Sequence, residues 1–182
     1  PGYRQRSPGE LVADAAFNVC GIKGGETLTD FGCGTGRGGA FFFWHGLYVT
    51  GVDIAGNSLD PDVADKVNFV EGCLWDLPKD FIKSEWGYCC DVLEHIPTKR
   101  VDDVLRTIAR HSKAAFLQIA HFPDGEWVEG TGPLHLTVEP PEWWAKRLRT
   151  IWRHVEDITD QVATYNPNEP VHVGRTCWLC RN

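Results

Sequence analysis

At 182 residues, 42% of them hydrophobic, the chain is long enough to bury one full core and too short for two, so a single domain over residues 1–182 is expected. A formal net charge of -7 and a pI near 5.4 weigh against non-specific binding to phosphate backbones, which clustered Lys and Arg drive. No stretch approaches the ~18 apolar residues of a membrane span and no signal-peptide layout opens the chain, so no membrane contact and a cytoplasmic setting are expected. The cysteines number seven, and Cys33, Cys73, Cys89 and Cys90 fall in or beside expected buried strands, which suits reduced thiols better than a disulfide framework. The chain begins at Pro1 and contains no Met, so removal of an initiator or preceding segment is expected.

Ser7-Pro8-Gly9-Glu10 forms a capping box with proline at the first helical position, and Gly21 closes the helix, predicted over Pro8–Cys20. This helix and Pro1–Arg6, a possible lid, make up an N-terminal part over 1–25, with the core over 26–182. Thr27–Phe31 reads as a strand running into a glycine loop, Gly38–His45 as the next helix, Leu47–Val52 as a second strand. Lys66–Val70 and Trp86–Cys90 follow as strands, with Asp60, Asp62 and Asp65 taken as a solvated helix face. Beyond Pro97, the residues Val101, Val104, Leu105 and Ile108 recur with the helical period, and Ala114–Ala120 is a continuous apolar run suited to a strand buried on both faces. Pro140, Pro141 and Glu142 open a helix with Trp143, Trp144, Leu148 and Ile151 inward and Lys146, Arg147 and Arg149 outward. Arg153–Ile158 and Arg175–Cys180 close the chain as two strands with no helix between them. The alternation predicts an α/β three-layer sandwich, Rossmann-like, with a seven-stranded, mostly parallel sheet and an antiparallel C-terminal edge hairpin.

Between Thr29 and Gly46 stand six glycines, and Gly34, Gly36 and Gly39 satisfy the dinucleotide fingerprint G-x-G-x-x-G. In open α/β sheets a ligand lies outside the carboxyl ends of the strands, where glycines admit close backbone approach and a following helix N-terminus favours negative groups. Asp53, at the end of the second strand, is placed to accept from ribose hydroxyls. Asp30 separates two possible nucleosides. An acid beside the first glycine does nothing for a pyrophosphate, whereas it suits the ammonium and sulfonium charges of a sulfonium amino acid.

The stretch Asp30-Phe31-Gly32-Cys33-Gly34-Thr35-Gly36 resembles the first motif of class I S-adenosylmethionine-dependent methyltransferases, and Gly51-Val52-Asp53-Ile54 resembles their second. Phe69 to Pro78 and Cys90 to Pro97 resemble the segments after strands three and four. The resemblance implies that Asp30, Gly32, Gly34 and Gly36 of the first motif hold the methionine end of the cofactor, with Phe31 and Cys33 as further cofactor-binding residues. It further implies that Asp53 takes the ribose, Ile54 packs on the adenine, Leu74 offers its amide to the ring, and Asp91 borders the same site. Cys73 departs from the aspartate common in relatives at that position, and Asp76 is a poorly spaced substitute. The implied product is S-adenosylhomocysteine.

Methyl transfer from a sulfonium is an in-line displacement, in which alignment supplies most of the catalysis and a base acts only where the acceptor must lose a proton. His95, His121 and Glu94 are the catalytic candidates, with His135 and Asp91 nearby in sequence to the same strand ends. No metal site is expected: Cys177 and Cys180, three apart on a strand, point to opposite faces and have no partner pair. The acidic balance favours a small-molecule acceptor, under a lid formed by Pro1–Arg6 and Phe122–Pro133. A nucleic-acid or protein acceptor, met by the cluster Lys146, Arg147, Arg149 and Arg153, and a non-catalytic cofactor-binding domain or subunit of a larger enzyme are the alternatives; the oligomeric state is left open.

Overall fold

The computed structural model describes residues 7–123, 127–128, 132–165 and 173–182. The proposed lid segment Pro1–Arg6 therefore lies outside the described residues, as does part of Phe122–Pro133. Helix α1 (Pro8–Cys20) starts where the Glu10 N–H donates to the Ser7 hydroxyl at 3.3 Å, and it stops at Gly21, whose φ of 71° ends the helix without steric cost. The strand β1 (Thr27–Phe31) leads through the glycine loop to α2 (Arg37–Trp44), followed by β2 (Tyr48–Asp53), β3 (Asn68–Glu71) and β4 (Ser84–Cys90). A 3-10 turn at Leu93–His95 precedes α3 (Thr98–His111) and β5 (Ser112–Ala120). Two short strands, β6 (Trp127–Val128) and β7 (Gly132–Pro133), pair with each other; then come α4 (Pro141–Ile151), β8 (His154–Asp157), α5 (Thr159–Tyr165) and β9 (Arg175–Arg181).

The seven-stranded sheet runs β3-β2-β1-β4-β5-β9-β8, parallel through β5 and antiparallel at β9 and β8. The order reverses between β1 and β4, which puts a crevice at their carboxyl ends. On one face α1, α2 and α5 bury Val12, Ala16, Phe42 and Val162 against Leu28, Tyr88 and Phe116. On the other, α3 and α4 bury Val101, Leu105, Ile108, Trp144 and Leu148 against Phe31, Cys89 and Leu117. Neighbouring residues of β5 thus serve opposite layers, as does the pair Cys177 and Cys180. All seven cysteines are free. No helix among the described residues is long and apolar enough to cross a membrane.

The architecture is the one expected, with corrections to its parts. The closing strands are joined through α5, whose first turn is set by Asp157: its carboxylate accepts from the Thr159 N–H at 3.0 Å. The segment of Asp60, Asp62 and Asp65 is a series of turns, and Asp60 is buried, paired with Arg37 at 2.7 Å. Of the aromatic run in α2, Phe42 alone is fully buried, whereas Phe43 and Trp44 are exposed. Arg147, expected outward, is half-buried, its guanidinium 3.3 Å from the centroid of the Trp143 ring.

Candidate functional site

The glycine loop is stitched to the end of β2. The N–H groups of Gly32 and Cys33 both donate to the Val52 carbonyl, at 2.7 and 3.0 Å, and the Gly34 N–H donates to Asp53 Oδ2 at 2.8 Å. The other carboxylate oxygen of Asp53 accepts from the Ala55 N–H at 2.9 Å, so this side chain fixes both the loop and the turn after its own strand. Gly32 requires its freedom: φ is 79°, and a Cβ there would come within 2.5 Å of Val92 Cγ2.

A cavity of about 380 Å³ opens beside this loop, within the size range of small-ligand sites. It is lined by Gly32 and Gly34 after β1, Asp53 and Ile54 after β2, Gly72, Cys73, Leu74 and Trp75 after β3, and Asp91, Val92, His95 and Ile96 after β4. Eight of these residues were expected from the sequence. Gly72, Trp75, Val92 and Ile96 were missed, although each lies inside a segment whose resemblance was already noted. A hollow of about 410 Å³ lies at the opposite, amino end of the sheet, lined by Thr27, Tyr48 and Lys66 and apart from the glycine loop.

Six candidates do not line the cavity beside the glycine loop. Phe31 is fully buried in the core, and Cys33 is buried with its sulfur against Gly51. Gly36 caps α2 with φ 75°, under Leu59. Asp30 lies beneath the glycine loop, facing a small hollow shared with Ser7, Gly9, Tyr88 and Cys90. Glu94 is fully buried behind the cavity wall. His121 spends both ring nitrogens on holding its own strand end, one 2.9 Å from the Glu139 carbonyl and the other 2.6 Å from the Thr176 hydroxyl. Asp76 is exposed and outside the lining.

The charges around the crevice are unusual. Burial, reinforced by the charge of Asp53, pushes the Asp30 carboxyl up to about 7, with the Gly39 N–H opposing the shift. Burial, followed by the charge of Asp91, likewise raises Glu94 well above the ordinary carboxylate range. Burial lowers His121. Asp91 adopts φ 50°, rare for a residue with a side chain, and its carboxylate accepts from Arg175 of β9 through Nε and Nη2 at 2.7 to 2.9 Å. Arg175 went unnoticed in the sequence because nothing in a closing strand marks a partner for a residue so far upstream.

No protein-family model and no curated protein matches the sequence. Solved structures do match in fold. A TehB-like S-adenosylmethionine-dependent methyltransferase from Corynebacterium glutamicum superposes with TM-score 0.67 at 17% identity, over 93% of this chain and 87% of that one. Magnesium protoporphyrin IX methyltransferase from Synechocystis, with bound S-adenosylhomocysteine, gives 0.66 at 17% identity over 96% and 84%. The cyclase SpnF gives 0.69 at 17% identity over 95% and 81%. The chain thus has the Rossmann-like fold of the class I S-adenosylmethionine-dependent methyltransferases.

Proposed function

We propose that the protein is an S-adenosylmethionine-dependent methyltransferase, built as one domain and acting on a small molecule. The observation that carries this reading is the cavity at the switch point, where the four parallel strands β1 to β4 each end on a segment that resembles a methyltransferase motif. In it, Ile54 and Cys73 to Trp75 would face the adenine, Asp53 the ribose hydroxyls, and Gly32 and Gly34 the methionine end. Asp30 would act from below the loop, as negative potential for the sulfonium and ammonium charges. His95, on the wall at the end of β4, is the acceptor-side group. Glu94 and His121 have no access to a reacting atom in this arrangement and would support the site from behind it.

A small acceptor is favoured by the apolar wall of Leu74, Trp75, Val92 and Ile96 and by the acidic balance of the chain. The basic residues of α4 do not contribute to the cavity, and Arg147 is turned to Trp143 and, at 3.4 Å, to Asp102. The neighbour SpnF, described as a cyclase, is a reminder that this fold hosts more than one chemistry. Incubating the protein with S-adenosylmethionine and a panel of metabolites, nucleotides and peptides, while following S-adenosylhomocysteine release, tests the assignment. Turnover confined to small molecules is expected; release with RNA, DNA or peptides alone would reassign the acceptor.

A further inference from the structure

Glu94, His95 and His135 each bring one ligand atom to within 4.8 Å of the others. Backbone hydrogen bonds set up the meeting. The Leu136 and Thr137 N–H groups both donate to the Glu94 carbonyl, at 2.8 and 2.9 Å, and the Thr137 hydroxyl donates to the Ile96 carbonyl at 2.7 Å. The 134–137 segment is thereby tied onto the 3-10 turn at Leu93–His95, and the two imidazoles stand edge to face with centroids 4.8 Å apart.

The tautomers follow from the neighbours. His95 Nδ1 lies 3.0 Å from the Leu134 carbonyl, and His135 Nδ1 lies 2.6 Å from the Phe122 carbonyl. A carbonyl only accepts, so in each ring Nδ1 donates and carries a proton, as it does in imidazoles that ligate metals through Nε2. Glu94 would supply the negative charge, as the carboxylate that a cation beside it favours. It is fully buried; Oε1 accepts from the Ala120 N–H at 3.2 Å, while Oε2 is buried with no hydrogen-bond partner. A carboxylate oxygen left so is costly, and a cation offsets that cost.

We propose that these three side chains form a site for a divalent transition-metal ion such as Mn²⁺, Fe²⁺, Co²⁺ or Zn²⁺. Two imidazoles with one carboxylate suit such ions, whereas Mg²⁺ and Ca²⁺ prefer oxygen ligands throughout. Three protein ligands leave coordination positions open, and His95 also lines the cavity beside the glycine loop, so the ion stands at its wall. One consequence rests on the methyltransferase reading: an oxygen of the acceptor would complete the coordination, with His95 serving as a ligand instead of a base.

Cobalt titration of the full chain, stripped beforehand with a chelator and kept free of any donor, tests the site by visible absorption. The expected result is saturation at one equivalent, with ligand-field bands of nitrogen and oxygen ligation and no intense thiolate charge-transfer band. His135→Ala should weaken binding at least about tenfold, and His154→Ala, at an exposed position on β8, should leave it unchanged. Should Glu94→Gln fail to fold, the two histidine variants still decide. No spectral change in millimolar excess of Co²⁺, a thiolate band, or equal affinity in His135→Ala would overturn the site. Because no donor is present, its failure would leave the methyltransferase assignment standing, and a failure of donor binding in the metal-free protein would leave the metal site standing.

Discussion

Asp91 and Arg175 form a forked ion pair across the rim of the crevice, with Nε reaching both carboxylate oxygens at 2.8 and 2.9 Å and Nη2 reaching one at 2.7 Å. The pair joins the end of the parallel strand β4 to the antiparallel strand β9, and it holds Asp91 in its left-handed backbone conformation. Both side chains are mostly buried, so removing one partner leaves a poorly solvated charge. Arg175→Ala should therefore destabilise the protein by roughly 2 to 3 kcal/mol, less than a fully buried pair because some exposure remains. Arg175→Lys should restore little, since an ammonium cannot make the fork. Urea denaturation measures both, and a loss near zero would mean that the pair is screened.

Asp53 anchors the glycine loop through the Gly34 N–H. In Asp53→Ala the loop loses that acceptor and the Ala55 N–H loses its own, so donor affinity should fall at least about tenfold, with about 1 to 2 kcal/mol lost from stability. Calorimetric titration with S-adenosylhomocysteine checks the first quantity and thermal unfolding the second. Undiminished affinity would remove Asp53 from the binding account.

Asp30 makes the site sensitive to pH in two opposed ways. Its folded value of about 7 lies above the ordinary 3.8, so the folded state keeps the proton that the unfolded chain releases. Its contribution to stability is thus complete below about pH 4 and is lost as pH rises toward 7, by at most about 1.4 kcal/mol per pH unit. A cationic donor needs the ionised form, so donor affinity should instead rise through the same window and level off above it. Asp30→Asn should flatten both profiles between pH 5 and 8, which unfolding curves and calorimetry across pH would reveal.

Cys73 is the one cysteine that is not buried, and it lines the cavity. A thiol reagent applied to the native protein should modify this residue first, and S-adenosylhomocysteine should slow the modification by about the fraction of sites it fills. Mass spectrometry of the labelled peptide reads the outcome. Equal labelling with and without ligand would place the adenine elsewhere.

The parallel core was legible because β1 to β4 each end at a glycine or an acid, β5 contains a continuous apolar run, and α3 shows its helical period. Helix α5 was not: over seven residues it buries Val162 alone, too little for a period to register. Asp60 looked like a surface charge because its counter-ion, Arg37, lies on a different element, and local charge patterning carries no such pairing. Within the site, the segments flanking the four strand ends were found from their order, while Phe31, Cys33 and Gly36 were named as neighbours in a motif though they face the core or a helix cap. Alternation along a strand explains Phe31: residues beside each other in sequence face opposite layers. His135 had no sequence signal linking it to Glu94 and His95. The backbone bonds from Leu136 and Thr137 to the Glu94 carbonyl bring it there.

The most direct test of the central claim is calorimetric titration of the purified protein with S-adenosylmethionine and S-adenosylhomocysteine. Binding of one donor molecule per chain, weakened in Asp53→Ala, is the predicted result. No heat and no protection against thermal unfolding at about 1 mM ligand, the upper end of common enzyme working concentrations, would contradict the assignment.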